Sequence, residues 1–239
     1  MMLRKRITTT LKSNMVGRMV LAPLRKVYRL YAVPRRRRLL KKRGPEILAE
    51  IARVFERHGI QGFAAFGTLL GIVREKGFIR HDEDIDLGVM PGSISPEKLL
   101  QILLVEECGF SFAFAFRYHD KVTEFKVYYR GVPIDFFFFE NMGDSFVYEA
   151  YSWQEGVTYP SETANSVRLV YSPVIKGLKK TAVFGTEFPI PSNEEEVLIG
   201  LYGKTWRIPN AKWSEDDRPK YESVSDFGYS VELQDVLRN

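Results

Sequence analysis

Downstream of Gly44-Pro45 the apolar residues Ile47, Leu48, Ile51, Val54 and Phe55 recur at steps of three and four, the spacing of one helix face. Glu46 and Glu50 favour its start and Gly59 is placed to close it. Phe63 to Phe66 then reads as a short buried strand. Gly67-Thr68 breaks it before Leu69, Leu70, Ile72 and Val73 resume a helical spacing that Lys76-Gly77 ends. Next the period falls to two: Asp82, Asp84 and Asp86 alternate with Ile85, Leu87 and Val89 in a strand ending near Met90. Successive strand side chains point to opposite faces, so the aliphatic residues face a core and the carboxylates crowd together on the other side. Glu83 faces away from them and reads as solvated.

Ser95-Pro96-Glu97 with Leu99, Leu100, Ile102, Leu103 and Leu104 predicts a capped helix. Strands follow at Phe110 to Tyr118, Thr123 to Tyr129 and Val132 to Phe139, the last two joined by a tight turn at Arg130-Gly131. Beyond Asn141 the pattern predicts short strands near Phe146 to Tyr151, Val167 to Tyr171 and Thr181 to Phe184. A last helix, Asn193 to Tyr202, has Glu194, Glu195 and Glu196 in its first turn and Gly203 at its end. The polar, acidic chain after Pro209 reads as an irregular wrap or tail. The elements define an α+β fold, a mixed β-sheet flanked by helices.

Charge divides the chain at residue 43. Residues 1–43 hold 15 of the 35 Lys and Arg and no acid, leaving 20 cations against 30 anions in residues 44–239. Two domains are expected: a basic arm, 1–43, and a body, 44–239. Between Asn14 and Val33 the arm interleaves Met15, Val16, Met19, Val20, Leu24, Val27 and Leu30 with Arg18, Arg25, Lys26 and Arg29, the pattern of an amphipathic helix kinked or broken at Pro23. Such a helix lies on an anionic membrane surface, and the Arg35 to Arg43 cluster adds about 1 kcal/mol per cation near it. A solvated basic tail is the alternative. Nucleic acid is not the expected partner, because only Tyr28 and Tyr31 could stack on bases. No apolar run approaches the ~20 residues that span a bilayer, so a peripheral protein on the cytoplasmic face is expected. The single cysteine, Cys108, excludes an internal disulfide and a thiolate metal site, and reads as a small buried hydrophobe.

Three acids on one strand face repel one another unless a cation sits among them. A hard divalent ion, Mg²⁺ or Mn²⁺, suits oxygen ligands and holds phosphate against protein. Asp84 and Asp86 are the central pair, with Asp82 as a further ligand or support. Asp135 stands alone in Val-Pro-Ile-Asp-Phe-Phe-Phe-Phe, where an ionised carboxylate needs a cation or donors; it is the natural third ligand or a base, with a structural ion pair as the alternative. Gly67-Thr68, at a strand-to-helix junction, offers N–H groups and a hydroxyl to phosphate oxygens. Arg74 and Lys126 are the leading donor-binding cations, with Lys76, Arg80 and His81 nearby.

GTLLGIVREKGFIRHDEDIDLGV, VPIDFFFF and FPIPSNEEEVLIGLYGKTW stand in the order found in the LicD-type phosphocholine transferases and the fukutin-like ribitol-phosphate transferases, which the chain resembles over residues 44–209. The resemblance implies a nucleotidyltransferase-like fold. It makes Gly67 and Thr68 the phosphate-binding turn, Asp84 and Asp86 the metal pair, Asp82 the preceding acid and Asp135 the third carboxylate. The implied reaction transfers phosphocholine, glycerol phosphate or ribitol phosphate from a CDP-linked donor to a glycan hydroxyl, carried on lipid or free, and releases CMP. The alternative is nucleotidyl transfer from an NTP with release of pyrophosphate. Arg80-His81 replaces the Pro-Trp common in the family, and the basic arm stands where eukaryotic members have a membrane anchor.

Overall fold

The computed structural model describes the backbone of residues 15–237 apart from 155 and 211, and side chains from residue 30 onward apart from these two and 215. One helix, α1, runs over Met15–His58. The helical period from Ile47 to Phe55 is therefore the end of a longer helix, and Gly44-Pro45 lies within it instead of opening it. Packing explains the difference. Interior Gly and Pro cost about 1 and 3 kcal/mol, whereas Leu40, Ile47, Leu48, Ile51 and Val54 are all at most 1% exposed and each such burial stabilises by roughly 1.5–3 kcal/mol. Gly44 is a contact point: a Cβ there would stand 2.4 Å from the Phe78 ring.

The side chains expected to form the amphipathic stripe lie outside the described residues as far as Arg29. Those of the Arg35 to Arg43 cluster reach the body: Arg36 and Arg37 approach Glu83 at 3.8 and 3.6 Å, and Arg43 donates to the Arg130 carbonyl. Glu83, read from the sequence as solvated, is thus an ion-pair partner of α1. Among the described residues no helix is long and apolar enough to cross a membrane.

After α1 come β1 (Gly62–Ala64), α2 (Phe66–Leu70) drawn out into a π-type turn (Gly71–Glu75), and β2 (Ile85–Val89). α3 (Pro96–Gln101) is capped by Ser95, whose hydroxyl accepts from the Lys98 N–H at 3.2 Å. β3 (Phe110–Tyr118), β4 (Lys121–Tyr129) and β5 (Val132–Phe138) form an antiparallel meander. β6 (Glu140–Asn141), β7 (Ser145–Ser152) and β8 (Ala164–Pro173) follow, then a hairpin of β9 (Leu178–Val183) and β10 (Thr186–Pro191). α4 (Glu194–Tyr202), β11 (Tyr221–Val231) and α5 (Leu233–Val236) complete the chain. Cys108 lies exposed just before β3, not in the core as expected.

The large sheet has the order β1-β2-β5-β4-β3-β11-β8-β7-β6, with β2 and β5 parallel in an otherwise antiparallel array. β6, at the far edge, begins two positions after β5 ends, so the sheet must curl until its last strand prolongs one of its central ones. Contacts across the curl close it: Tyr151 stacks on Phe116 at 4.3 Å and its hydroxyl meets Thr123 Oγ1 at 2.5 Å, while Tyr148 lies 5.4 Å from Phe139.

On one face of the sheet α1 packs against β5 and α3 against β4, with α1 also reaching β10. Ile85, Leu87, Phe125, Val127, Ile134 and Phe136 are fully buried there, with Phe55 touching Phe136 and Phe188. The fold is thus a large mixed sheet flanked by helices. The strand alternation places Asp86, Asp135 and Lys126 on the opposite face.

Candidate active site

Register brings the acids together. Asp86 is paired with Asp135 across the parallel β2–β5 ladder, and Asp135 with Lys126 across β5–β4. Directly opposed residues on one face have Cβ atoms about 5 Å apart, so the three side chains form one row. Asp84, one residue before β2, joins it: oxygens of Asp84, Asp86 and Asp135 all lie within 4.8 Å of one another. Lys126 Nζ is 2.9 Å from Asp135 Oδ2 and 3.7 Å from Asp84 Oδ2. The ion-pair reading of Asp135 is met by one oxygen, while Oδ1 is buried without a partner.

The turn after β1 fixes the near edge. Phe66 adopts φ +40°, a left-handed conformation costing about 1–2 kcal/mol for a residue with a Cβ, while its ring packs at 4.7 Å on Phe137 and 4.6 Å on Tyr148. The twist aims the Gly67 N–H at Asp86 Oδ2, 3.2 Å away. A Cβ on Gly67 would meet Asp86 Oδ2 at 3.2 Å and Asp82 Oδ1 at 3.3 Å. Thr68 is 1% exposed, and its hydroxyl accepts the Asp86 N–H at 2.9 Å. Its visible role is to fix β2 against α2. Gly71 lets the chain fold back, because a Cβ there would lie 2.4 Å from the Gly77 carbonyl; the return carries Arg80, His81 and Asp82 over the turn.

Burial dominates the electrostatics. It raises the Asp82 carboxyl to about 7, reinforced by Asp84. It holds Asp86 well above the ordinary carboxylate range, with Asp84 and Asp135 adding repulsion. It raises Asp135 to about 7 even though Lys126 opposes it. Asp82 Oδ2, like Asp135 Oδ1, is buried and unpartnered. Buried carboxylates lacking donors are costly. Ionised together, Asp82, Asp84, Asp86 and Asp135 outnumber the one ammonium among them, Lys126, an excess of negative charge that a divalent cation would reduce.

Of these groups Gly67, Asp82 and Asp86 line a cleft of about 1020 Å³, together with Arg74, Arg80 and His81, whereas Thr68, Asp84, Lys126 and Asp135 are not among its lining residues. Arg74 is tied back by Glu75 at 2.8 Å and the Trp206 carbonyl at 3.0 Å. Lys126 is held among the acids. Sequence reasoning missed Tyr148, Tyr202, Trp206, Trp213, Arg218 and Glu124, which line the same cleft. Glu124 shares the parity of Lys126 on β4, a signal that was present. Trp206 closes a quoted motif but had no role assigned, and nothing in the local pattern singles out Trp213 or Arg218.

The curled mixed sheet and its acid row define a class, and comparison with known proteins gives the family. Residues 59–193 match the domain described as LicD/FKTN/FKRP, nucleotidyltransferase domain. The chain belongs to that family. The mouse protein named Ribitol-5-phosphate transferase FKTN is 25% identical over 187 residues, which cover 76% of this chain and 37% of the relative. The Macaca fascicularis and human proteins of the same name are each 25% identical over 179 residues, covering 72% of this chain and 35% of theirs. The chain thus spans little more than a third of the length of these relatives.

Proposed function

We propose that this protein transfers a phospho-alcohol group, such as ribitol phosphate, glycerol phosphate or phosphocholine, from a CDP-linked donor to a glycan hydroxyl. In the reaction the acceptor oxygen bonds to the phosphorus bearing the alcohol, the bond from that phosphorus to the bridging oxygen breaks, and CMP leaves with the bridging oxygen. The observation that carries the reading is the strand register that gathers Asp84, Asp86 and Asp135 beside the Gly67 turn. Family membership and the relatives' printed activity support it from sequence.

Asp84, Asp86 and Asp135 would hold Mg²⁺ or Mn²⁺, and the orphaned Asp135 Oδ1 fits a cation. Asp82 serves as an additional ligand or proton acceptor. Such an ion supplies Lewis-acid neutralisation of the donor's phosphate oxygens. Gly67 and Thr68 orient Asp86 through the N–H and hydroxyl contacts described above. Lys126 holds Asp135 in place, so Asp135 acts as a ligand rather than a base. Asp82, which lines the cleft, would take the acceptor's proton. Arg74 and the Arg80-His81 turn bound the donor side, and the nucleotidyltransferase-like fold is read from the same domain match.

The basic residues 1–43 would bring the enzyme to an anionic leaflet on the cytoplasmic side, where lipid-linked glycan acceptors are assembled. Purified protein incubated with Mg²⁺, a glycan acceptor and CDP-ribitol, CDP-glycerol or CDP-choline should release CMP and phosphorylate the acceptor. D84N and D86N should each lower the rate by about 10²–10³-fold with the fold intact, as loss of a main electrostatic element does. Retained turnover in either variant refutes the assignment. Pyrophosphate release from an NTP would establish the nucleotidyl-transfer alternative instead.

A further inference from the structure

Three aromatic rings of the cleft surround one cation, and the cation belongs to the chain itself. The guanidinium carbon of Arg218 lies 5.3 Å from the centre of the Phe66 ring, 5.4 Å from that of Trp213 and 5.8 Å from that of Tyr148. A cation within about 6 Å of a ring centre is drawn to the ring's negative face, and a cage of such faces is how proteins recognise a quaternary ammonium. Here a side chain already fills the cage. All four residues line the cleft that Gly67, Asp82 and Asp86 also line.

The cage adjoins the acid row. Phe66 immediately precedes Gly67, whose N–H contacts Asp86. Phe66 and Tyr148 both pack on Phe137, two positions after Asp135 on β5, at 4.7 and 6.1 Å. The turn and the strand that build the site for the donor's phosphates therefore also build the cage, and the donor's alcohol is one ester bond from phosphorus. A second observation concerns hydrogen bonding. The indole N–H of Trp213 is buried without a partner among the described residues, in the same ring that packs on Arg218. A buried donor left unmade is costly, so the site suits a ligand that brings an acceptor oxygen. The hydroxyls of ribitol or glycerol phosphate supply one, whereas the trimethylammonium end of phosphocholine has neither an oxygen nor a lone pair.

We infer that Arg218 makes the cleft selective for an uncharged polyol, of the ribitol or glycerol type, by filling the aromatic cage that a quaternary ammonium would need. The inference rests on the proposed function and narrows its donor, since it excludes phosphocholine. Arg218 acts by occupancy, as a specificity-determining residue. It stands after the matched residues 59–193, so the choice of alcohol is made partly outside that domain.

Calorimetric titration of the full chain with Mg²⁺ present, using CDP-ribitol, CDP-glycerol, CDP-choline and plain CDP, tests this. Wild type should bind CDP-ribitol or CDP-glycerol at least about tenfold more tightly than CDP-choline. R218A empties the cage and should raise CDP-choline affinity by about tenfold, the worth of a partly desolvated cation–π contact. Its affinity for CDP, which lacks the alcohol, should stay within about twofold of wild type. W213F keeps the ring and removes only the N–H; it should weaken the polyol donor by about threefold and CDP by less than about twofold. If R218A does not fold, the wild-type ranking and W213F decide the matter.

A wild type that takes CDP-choline as tightly as CDP-ribitol and CDP-glycerol overturns the inference and leaves the proposed function standing. So does a folded R218A with no gain for CDP-choline, and so does a parallel loss of CDP affinity in R218A, which would make Arg218 a contact of the diphosphate. A wild type that binds none of the four ligands overturns the inference and the proposed function together.

Discussion

Replacing Asp135 by Asn should alter stability in opposite directions with and without a divalent cation. In the metal-free protein burial holds the Asp135 carboxyl at about 7 instead of 3.8, with Lys126 opposing and Asp84 adding to the effect. The folded chain therefore binds more protons than the unfolded chain between these values. Stability falls as pH rises across that window and stays low above it. At about 1.4 kcal/mol per pH unit, the interval amounts to roughly 4 kcal/mol at pH 8. Asn keeps an oxygen for Lys126 but loses the charge in that contact, at a cost of about 1.5–3 kcal/mol. D135N should then be more stable than wild type by about 1–2 kcal/mol at pH 8 in chelator, or about 3–6 °C in Tm. At about pH 5, where the wild-type carboxyl is protonated, the advantage should vanish. Magnesium should reverse the order, because an ion at about 100 times its Kd adds about 2.7 kcal/mol to the wild type and far less to a variant missing a ligand. Thermal unfolding at both pH values, in chelator and in magnesium, measures all four quantities. A D135N protein that melts below wild type at pH 8 in chelator, or that gains as much from magnesium, would refute the reasoning.

Gly67→Ala places a methyl group 3.2 Å from Asp86 Oδ2 and 3.3 Å from Asp82 Oδ1, so it should push the acids apart and weaken Mn²⁺ binding by about tenfold, within the range reported for residues supporting a metal site; unchanged affinity would show that the turn is not in contact with the ion. At subsaturating Mg²⁺ the transfer rate should climb by up to about tenfold per pH unit for each proton displaced, then level off above pH 7, because Asp82 and Asp135 are both raised to about 7 in the metal-free state; a flat profile from pH 5 to about 8 contradicts this. Gly44→Val drives a side chain into the Phe78 ring, 2.4 Å from the would-be Cβ, and should cost about 1–3 kcal/mol in urea unfolding with Mn²⁺ affinity unaltered; an unaltered urea midpoint would mean that α1 is not held there.

Where burial alternates with exposure, the pattern alone located the strands and their faces. Ile85, Leu87, Ile134 and Phe136 are all 0% exposed, and the acids between them had to face the other way. The register that makes Asp86 and Asp135 neighbours is a long-range property, and no local spacing encodes it. α1 was misread at Gly44-Pro45 because propensity is a local tendency, whereas the contact of Phe78 against Gly44 that helps to override it comes from a residue far along the chain. β11 was missed for a related reason. Its sequence YESVSDFGYSV has no clean period, its ladder to β8 shifts register between Ser223 and Phe227, and it is held by pairing on both sides rather than by an apolar face.

The cleft is assembled from two parts of the chain that answer to different constraints. The acid row and the Gly67 turn fall within residues 59–193, the stretch matched to the family domain, and their positions follow from ladder register in β2, β5 and β4. Tyr202, Trp206, Trp213 and Arg218 come after it and line the same cleft. β11, beginning three residues after Arg218, anchors that segment by pairing with β8 and with β3, and β3 is itself paired to the strand bearing Lys126. Rigid strands therefore set the groups that would hold the cation, where errors of an ångström matter. Trp206, Trp213 and Arg218 stand on the connection between α4 and β11, outside the ladder that orders the acids. Substitutions at residues 202–218 should thus alter which donor is accepted while leaving ion affinity nearly constant, whereas changes at Asp84, Asp86 or Asp135 should remove both together.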